Sequence, residues 1–324
     1  MLSKEILQLP KLDLHCHLDG SLTQSSISRL LKQEIEAKDL QVDEHCKNLG
    51  EYLEKFELPL RCMQTEANLR AVSREFLMEA SKENIQYIEV RFAPLLSVNE
   101  ELSCKKVIEA VLTGLEEAKA DCGTHYNVIV CAMRHHPLTE NLDMLKTSRE
   151  FLGSGVCAAD LAGNEAAFPM KDYTELFEQV KQWGMPFTIH AGECGSVENV
   201  IASVTCGAAR IGHGIALSGN KEAIQLCRDR KTGIEMCPIS NMQTKAVSDK
   251  KNYPIREFME EGLCVTINTD NRTVSNTTIS KELEFIQENY KISDEALRQF
   301  MINAVSAAFA EDSVKETLWK ALHR

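Results

Sequence analysis

Residues 11–20 read Lys11-Leu12-Asp13-Leu14-His15-Cys16-His17-Leu18-Asp19-Gly20, and the reading of this stretch organises the rest of the chain. Segment 11–17, set between Pro10 and the Asp19-Gly20 turn signal, has the make-up of a short β-strand. Successive strand side chains point to opposite faces, so His15 and His17 share a face while Cys16 points away. Two imidazoles on one face can chelate a divalent metal without bending the backbone, whereas Cys16 is excluded as a third ligand. Taken alone, the pair reads equally well as two solvated or hydrogen-bonded histidines. Ligands at the ends of other strands decide between the readings.

Such strands follow at regular intervals. Segments 85–92, 126–133, 156–161, 187–190, 210–213, 234–237 and 264–268 are apolar and β-rich. Helical stripes lie between nearly all of them, for example Val107, Ile108, Val111, Leu112 and Leu115. A βα alternation of this kind implies a parallel sheet, and eight repeats in 324 residues favour closure into a (β/α)8 TIM barrel. No GxGxxG follows the first strand, which removes the main argument for an open dinucleotide-binding sheet. Residues 21–84 form an extended helical insertion after strand 1. Within it, residues 50–66 are a candidate lid in which Pro59 reads as a helix break. Extra C-terminal helices begin near Ser280. With no internal repeat or linker, residues 1–324 are expected to form one domain.

The chain carries a net charge of −12, so nucleic acid and anionic membrane surfaces are excluded as partners by average electrostatics. No apolar run approaches the roughly 20 residues needed to span a bilayer, and the first residues lack a signal-peptide core. Twelve cysteines without a CxxC pair or export signal read as reduced thiols, and the expected location is the cytoplasm.

In a barrel the active site lies at the C-terminal strand ends. There stand His15 and His17 from strand 1, Arg91 from strand 2, Gly163 from strand 4, His190 and Glu193 from strand 5, His213 from strand 6 and Asp270 from strand 8. His15, His17, His190 and Asp270 make an N/O shell for one Zn2+ per subunit, with a position open for water as in catalytic sites. His213 could orient that water or accept its proton. Glu193, three residues beyond His190 across a glycine turn, reaches substrate without ligating the metal, and in its acid form could donate to a ring nitrogen. Singly, His213 could be a core histidine, Glu193 a solvated loop carboxylate and Asp270 a turn residue. Jointly, such residues at several strand ends are hard to assign to packing. His135 and His136 read as surface or local polar residues, although the pair ends strand 3 on the active face, and Ser240 and Asn241 as bracing without chemistry.

Read together, these motifs resemble the successive signatures of the adenosine deaminase family. They are His15-Cys16-His17-Leu18-Asp19-Gly20, Arg91-Phe92-Ala93-Pro94, Asp160-Leu161-Ala162-Gly163-Asn164-Glu165, Thr188-Ile189-His190-Ala191-Gly192-Glu193, Arg210-Ile211-Gly212-His213-Gly214, Cys237-Pro238-Ile239-Ser240-Asn241 and Asn268-Thr269-Asp270-Asn271. The resemblance implies a zinc-dependent barrel that hydrolyses the 6-amino group of a small-molecule nucleoside, adenosine or 2′-deoxyadenosine. It also implies that Glu193 donates to purine N1 and that His213 orients the water. Further implied roles are the Gly163 contact to N3 and acceptance by Asp19 of a hydrogen bond from the ribose 5′-hydroxyl. A carboxylate at Asp19 disfavours a 5′-phosphate. The chain departs from the animal enzymes at Asn271, which stands where they carry an aspartate facing N7. An amide donates to N7 at any ordinary pH, so the exchange is chemically competent. Residues 156–163 contain no lysine, so the second metal that a modified lysine bridges in related barrels is not expected. Alternatives are a deaminase of adenine or of N6-substituted AMP, and an inactive purine-binding barrel.

Overall fold

A computed structural model describes residues 2–43 and 45–323 of the chain. The strands are β1 Lys11–His17, β2 Ile85–Phe92, β3 His125–Met133, β4 Val156–Ala162, β5 Thr188–Ala191, β6 Arg210–His213, β7 Gly233–Met236 and β8 Cys264–Ile267. They pair in parallel as β1-β2-β3-β4 and β5-β6-β7-β8. Two bridges join these groups, Ala159 with Phe187 and Cys16 with Asp270, so the sheet closes into the expected (β/α)8 barrel. Both faces of every strand are covered, which is why the strands read as nearly continuous apolar runs.

The β1–β8 seam is tied by side chains as well as backbone. Leu14 N donates to Asn268 Oδ1 at 2.9 Å, and Thr269 Oγ1 donates to Asp13 Oδ2 at 2.6 Å. Beyond them Asp270 N donates to His15 O at 2.7 Å, and His17 N to Asp270 O at 2.6 Å. Two prospective ligand-bearing segments are thereby locked to one another. The register of β1 on β2 slips between Asp13 and Cys16, an irregularity of the kind that re-aims side chains beside sites.

Helix starts follow local chemistry. Thr65, Ser103, Ser196 and Thr278 each accept a first-turn N–H through their side chains. The insertion after β1 is helical as expected, ending in the long helix Glu66–Ser81. Its Leu49–Leu53 and Glu57–Cys62 helices lie against the barrel mouth, and Val42, Cys46, Tyr52 and Val274 form a small apolar cluster between insertion and barrel. Pro59 does not break the second of these helices. It occupies the first turn, where its missing N–H would have had no helical partner. The penultimate helix, Asp294–Ala307, packs on β8 and β1, with Met301 Sδ 3.3 Å from Leu12 N.

The helices Glu66–Ser81 and Cys104–Cys122 cross where Gly114 leaves no room, since a Cβ there would stand 2.1 Å from Arg70 O. Gly114→Ala is expected to destabilise the chain by about 1–3 kcal/mol through overpacking against backbone. Urea unfolding measures this, and an unchanged midpoint would mean that the two helices separate freely.

Candidate active site

The C-terminal strand ends open into a cavity of about 480 Å³. Its lining brings together His17, Asp19, Gly163, His190, Glu193, His213, Asp270 and Asn271, and His15 is fully buried beside them. One ligand atom from each of His15, His190, His213 and Asp270 lies within 4.8 Å of the others. His17 is equally close on other edges. Its Nε2 stands 3.1 Å from His190 Nε2 and 3.5 Å from Asp270 Oδ1, and His15 Nε2 is also 3.5 Å from Asp270 Oδ1. Ligands bound to one zinc at about 2.0–2.2 Å stand about 3.3–3.6 Å apart at the tetrahedral angle, so these separations fit a shared ion. His15 Nε2 is buried with no hydrogen-bond partner, the state of a nitrogen whose lone pair awaits a cation.

The groups behind the imidazoles set their tautomers. His15 Nδ1 stands 2.8 Å from Glu235 Oε2, and His190 Nδ1 stands 2.8 Å from Asp160 Oδ2. A carboxylate against each Nδ1, hydrogen-bonded to His15 and in close polar contact with His190, favours the tautomer whose Nε2 lone pair faces the cavity. His17 Nδ1 faces Asp19 Oδ1 at 3.8 Å. His213 differs. Asn241 Oδ1 accepts from Tyr253 Oη at 3.4 Å, which turns the Asn241 amide nitrogen toward His213 Nδ1 at 2.9 Å. The His213 proton consequently sits on Nε2, the nitrogen that faces Glu193 Oε2 at 3.7 Å. Burial, reinforced by neighbouring imidazoles, lowers the pKa values of His17, His190 and His213, and so favours the neutral rings that metal ligation requires.

The carboxyls divide by environment. Burial resists ionisation of Asp270, but the His15, His213 and His17 imidazoles around it bring it below the ordinary carboxylate range. Its Oδ2 also accepts from Ser240 Oγ at 2.5 Å. Glu193 is pushed well above that range by burial, then by Asp270 and Glu165, and its Oε1 has no partner. Burial raises Asp19 to about 7. Both His213 and Asp270 hold positive φ, at 66° and 59°, a strained backbone that clusters at functional sites. Asn271 packs on Gly20 so tightly that a Cβ on Gly20 would fall 1.8 Å from Asn271 Oδ1.

Sequence reasoning missed several contributors. Glu235 sits inside β7 rather than at its end. Its Oε2 accepts from His15 and from Arg91 Nη2 at 2.9 Å, and its Oε1 from Arg210 Nε at 2.5 Å and Thr188 Oγ1 at 3.0 Å. Arg91 lies under the cavity, where it also donates to Asp160 at 3.0 Å. His135, just beyond β3 on the active face, lines the cavity, and Ser240 and Asn241, read from sequence as bracing residues, hydrogen-bond to Asp270 and His213. Leu49, Leu53, Phe56, Leu60 and Phe168 give the mouth an apolar wall. Cys194, next along the turn, is exposed.

Comparison with known proteins adds to this geometry. The family model described as adenosine deaminase matches residues 10–324. The adenosine deaminase of Clostridium acetobutylicum is 38% identical, covering 99% of this chain and 99% of that protein. The adenosine deaminase of Enterococcus faecalis is 39% identical, over 98% of this chain and 97% of its own length. Among solved structures, an adenine deaminase from Arthrobacter aurescens superposes with a TM-score of 0.87 at 20% identity, covering 97% of this chain and 98% of that one, which speaks to the fold alone.

Glu235→Gln places an amide N–H against donors that now meet a carboxylate. Loss of such a second-layer acceptor is expected to lower metal affinity about 10–100-fold. Competition with a chromogenic chelator measures the change, and wild-type affinity would show that His15 does not depend on Glu235.

Proposed function

The chain belongs to the adenosine deaminase family, and from that premise we propose that its cavity converts adenosine and 2′-deoxyadenosine, with water, to inosine and 2′-deoxyinosine plus ammonia. The reading includes one Zn2+ held by His15, His17, His190 and Asp270, and a place in cytoplasmic purine salvage. One observation carries it: Nε2 atoms and a carboxylate at metal-sharing distances, beside a buried Glu193 oxygen without a partner. The tautomer argument favours His17 over His213 as the third imidazole ligand, because His213 presents an N–H to the site. Among the described residues no helix is long and apolar enough to cross a membrane.

Zinc in this shell would supply Lewis-acid activation of the attacking water. The chain's own groups do the rest. Glu193, in its acid form, donates a proton to N1 and draws electron density from C6. His213 directs its Nε2–H toward the oxygen arriving at C6 and orients it. The C6–O bond forms and the C6–N bond then breaks; one proton of the attacking water ends on the departing nitrogen, which leaves as ammonia, and the other restores the acid form of Glu193, whose own proton stays on N1. Gly163 offers its backbone N–H to N3, Asn271 donates its amide to N7, and Asp19 accepts from the 5′-hydroxyl. A 5′-phosphate would bring a second anion against Asp19, and free adenine would leave Asp19 without a ribose partner, so nucleosides are preferred.

Loss of absorbance on converting adenosine to inosine provides the assay. Glu193→Gln is expected to lose about 10²–10⁴-fold in kcat with metal content intact, the usual scale for a general acid. Asn271→Ala is expected to cost about tenfold in kcat/KM, one hydrogen bond's worth, and no change would remove the N7 contact. Chelation should abolish turnover and zinc should restore it. Faster turnover of adenine or N6-methyl-AMP than of adenosine would overturn the substrate assignment.

A further inference from the structure

We infer that Glu165 is a positioning residue whose carboxylate sets the place of Glu193 by gathering the backbone of the turn that carries it. Glu165 Oε1 accepts from Gly192 N at 2.7 Å, and its Oε2 accepts from Glu193 N and Cys194 N, each at 3.0 Å. Three consecutive N–H groups thus converge on one side chain. Asn199 Nδ2 adds a fourth donor at 2.8 Å to Oε1. Glu165 is only 2% exposed, so all its interactions are made within the protein. An acceptor-only group suits four N–H donors, and charge-assisted bonds of this kind are the strong ones.

The arrangement is directed at Glu193. The turn between β5 and helix Val197–Cys206 has Glu193 as its only side chain in the main cavity, and Gly192 and Cys194 flank it. Glu165 comes from the loop after β4, two residues beyond Gly163, so it clamps that loop to the Glu193 turn. The buried guanidinium of Arg134 reinforces the same clamp. It donates to His190 O at 2.7 Å and to Phe168 O at 2.5 Å, joining the end of β5 to the far side of the Glu165 loop. Gly192 and Glu193 are buried, and an unmet backbone donor there costs free energy, so without Glu165 the turn would shift to find acceptors. A shift of about 1 Å at a group that must meet one ring nitrogen is enough to cost about 100-fold in rate.

The inference rests on the proposed role of Glu193, and a double-mutant cycle separates the two. Glu165→Gln is close in size but turns N–H groups toward N–H groups. It is expected to lower kcat for adenosine about 10–100-fold, the scale of a misplaced reacting group, while KM stays within about twofold and metal content is retained. In a Glu193→Gln background the same change should cost less than about twofold, because the group it positions is gone. Asn199→Ala, which removes one donor to Glu165 and leaves the turn's own N–H bonds, should act in the same direction with a smaller loss, and guards against a Glu165→Gln chain that does not fold. Equal losses in both backgrounds, or a loss explained by metal content, would overturn the role of Glu165. A Glu193→Gln enzyme as active as the parent would instead overturn the proton-donor reading itself.

Discussion

The structure turns on a carboxylate buried inside the barrel. Glu235 receives His15, Arg91, Arg210 and Thr188, and no part of it reaches solvent. From it the charges alternate outward. Arg91 passes to Asp160 and so to His190, while Arg210 passes to Glu89, which accepts Tyr87 Oη at 2.9 Å and Phe309 N at 2.6 Å. Ion pairs removed from water recover their desolvation cost only when every lone pair and proton is met, and hydrophobic replacements are often as stable. Such a network is therefore better understood through what it fixes than through what it adds to stability. It fixes the tautomers of His15 and His190 and keeps both rings facing the mouth.

This explains which parts of the chain were legible from sequence. The fold was legible because eight buried parallel strands must each be apolar, and the helices between them must carry stripes. The residues at strand ends were legible because position on a barrel carries meaning there. Glu235 was not, since a charged residue in the middle of a short strand looks like an error in strand assignment until its three cationic or imidazole partners arrive from β1, β2 and β6. Glu165, the last residue of a signature, has no role legible in the sequence for a similar reason. Its donors are backbone N–H groups 27–29 residues away, and backbone leaves no signature in side-chain identity. Pro59 was misread because the break it suggests disappears when a helix begins two residues earlier.

The insertion after β1 belongs to the site through contacts rather than through its composition. Tyr52 Oη lies 2.6 Å from Ser275 Oγ, and Val42 N donates to Val274 O at 2.9 Å, so the segment is pinned to the residues that follow Asp270 and Asn271. Its Leu49, Leu53, Phe56 and Leu60 then wall the cavity. An apolar wall raises the strength of every charge and dipole behind it, because the local dielectric falls as water is excluded.

That dielectric sorts the two carboxyls on which the proposed chemistry relies. Asp270 and Glu193 stand in one cavity at one pH, yet they are driven in opposite directions. Asp270 has His15, His17, His213 and Ser240 around it, and these interactions outweigh burial. Glu193 has burial and two like charges, Asp270 and Glu165, and its Oε1 has no donor. The first helps to produce the state of the second, since an ionised Asp270 is one of the causes that raise Glu193. A site that must bind a cation on one side and deliver a proton on the other needs that division. Here the chain produces it by placing histidines around Asp270 and like charges around a buried Glu193.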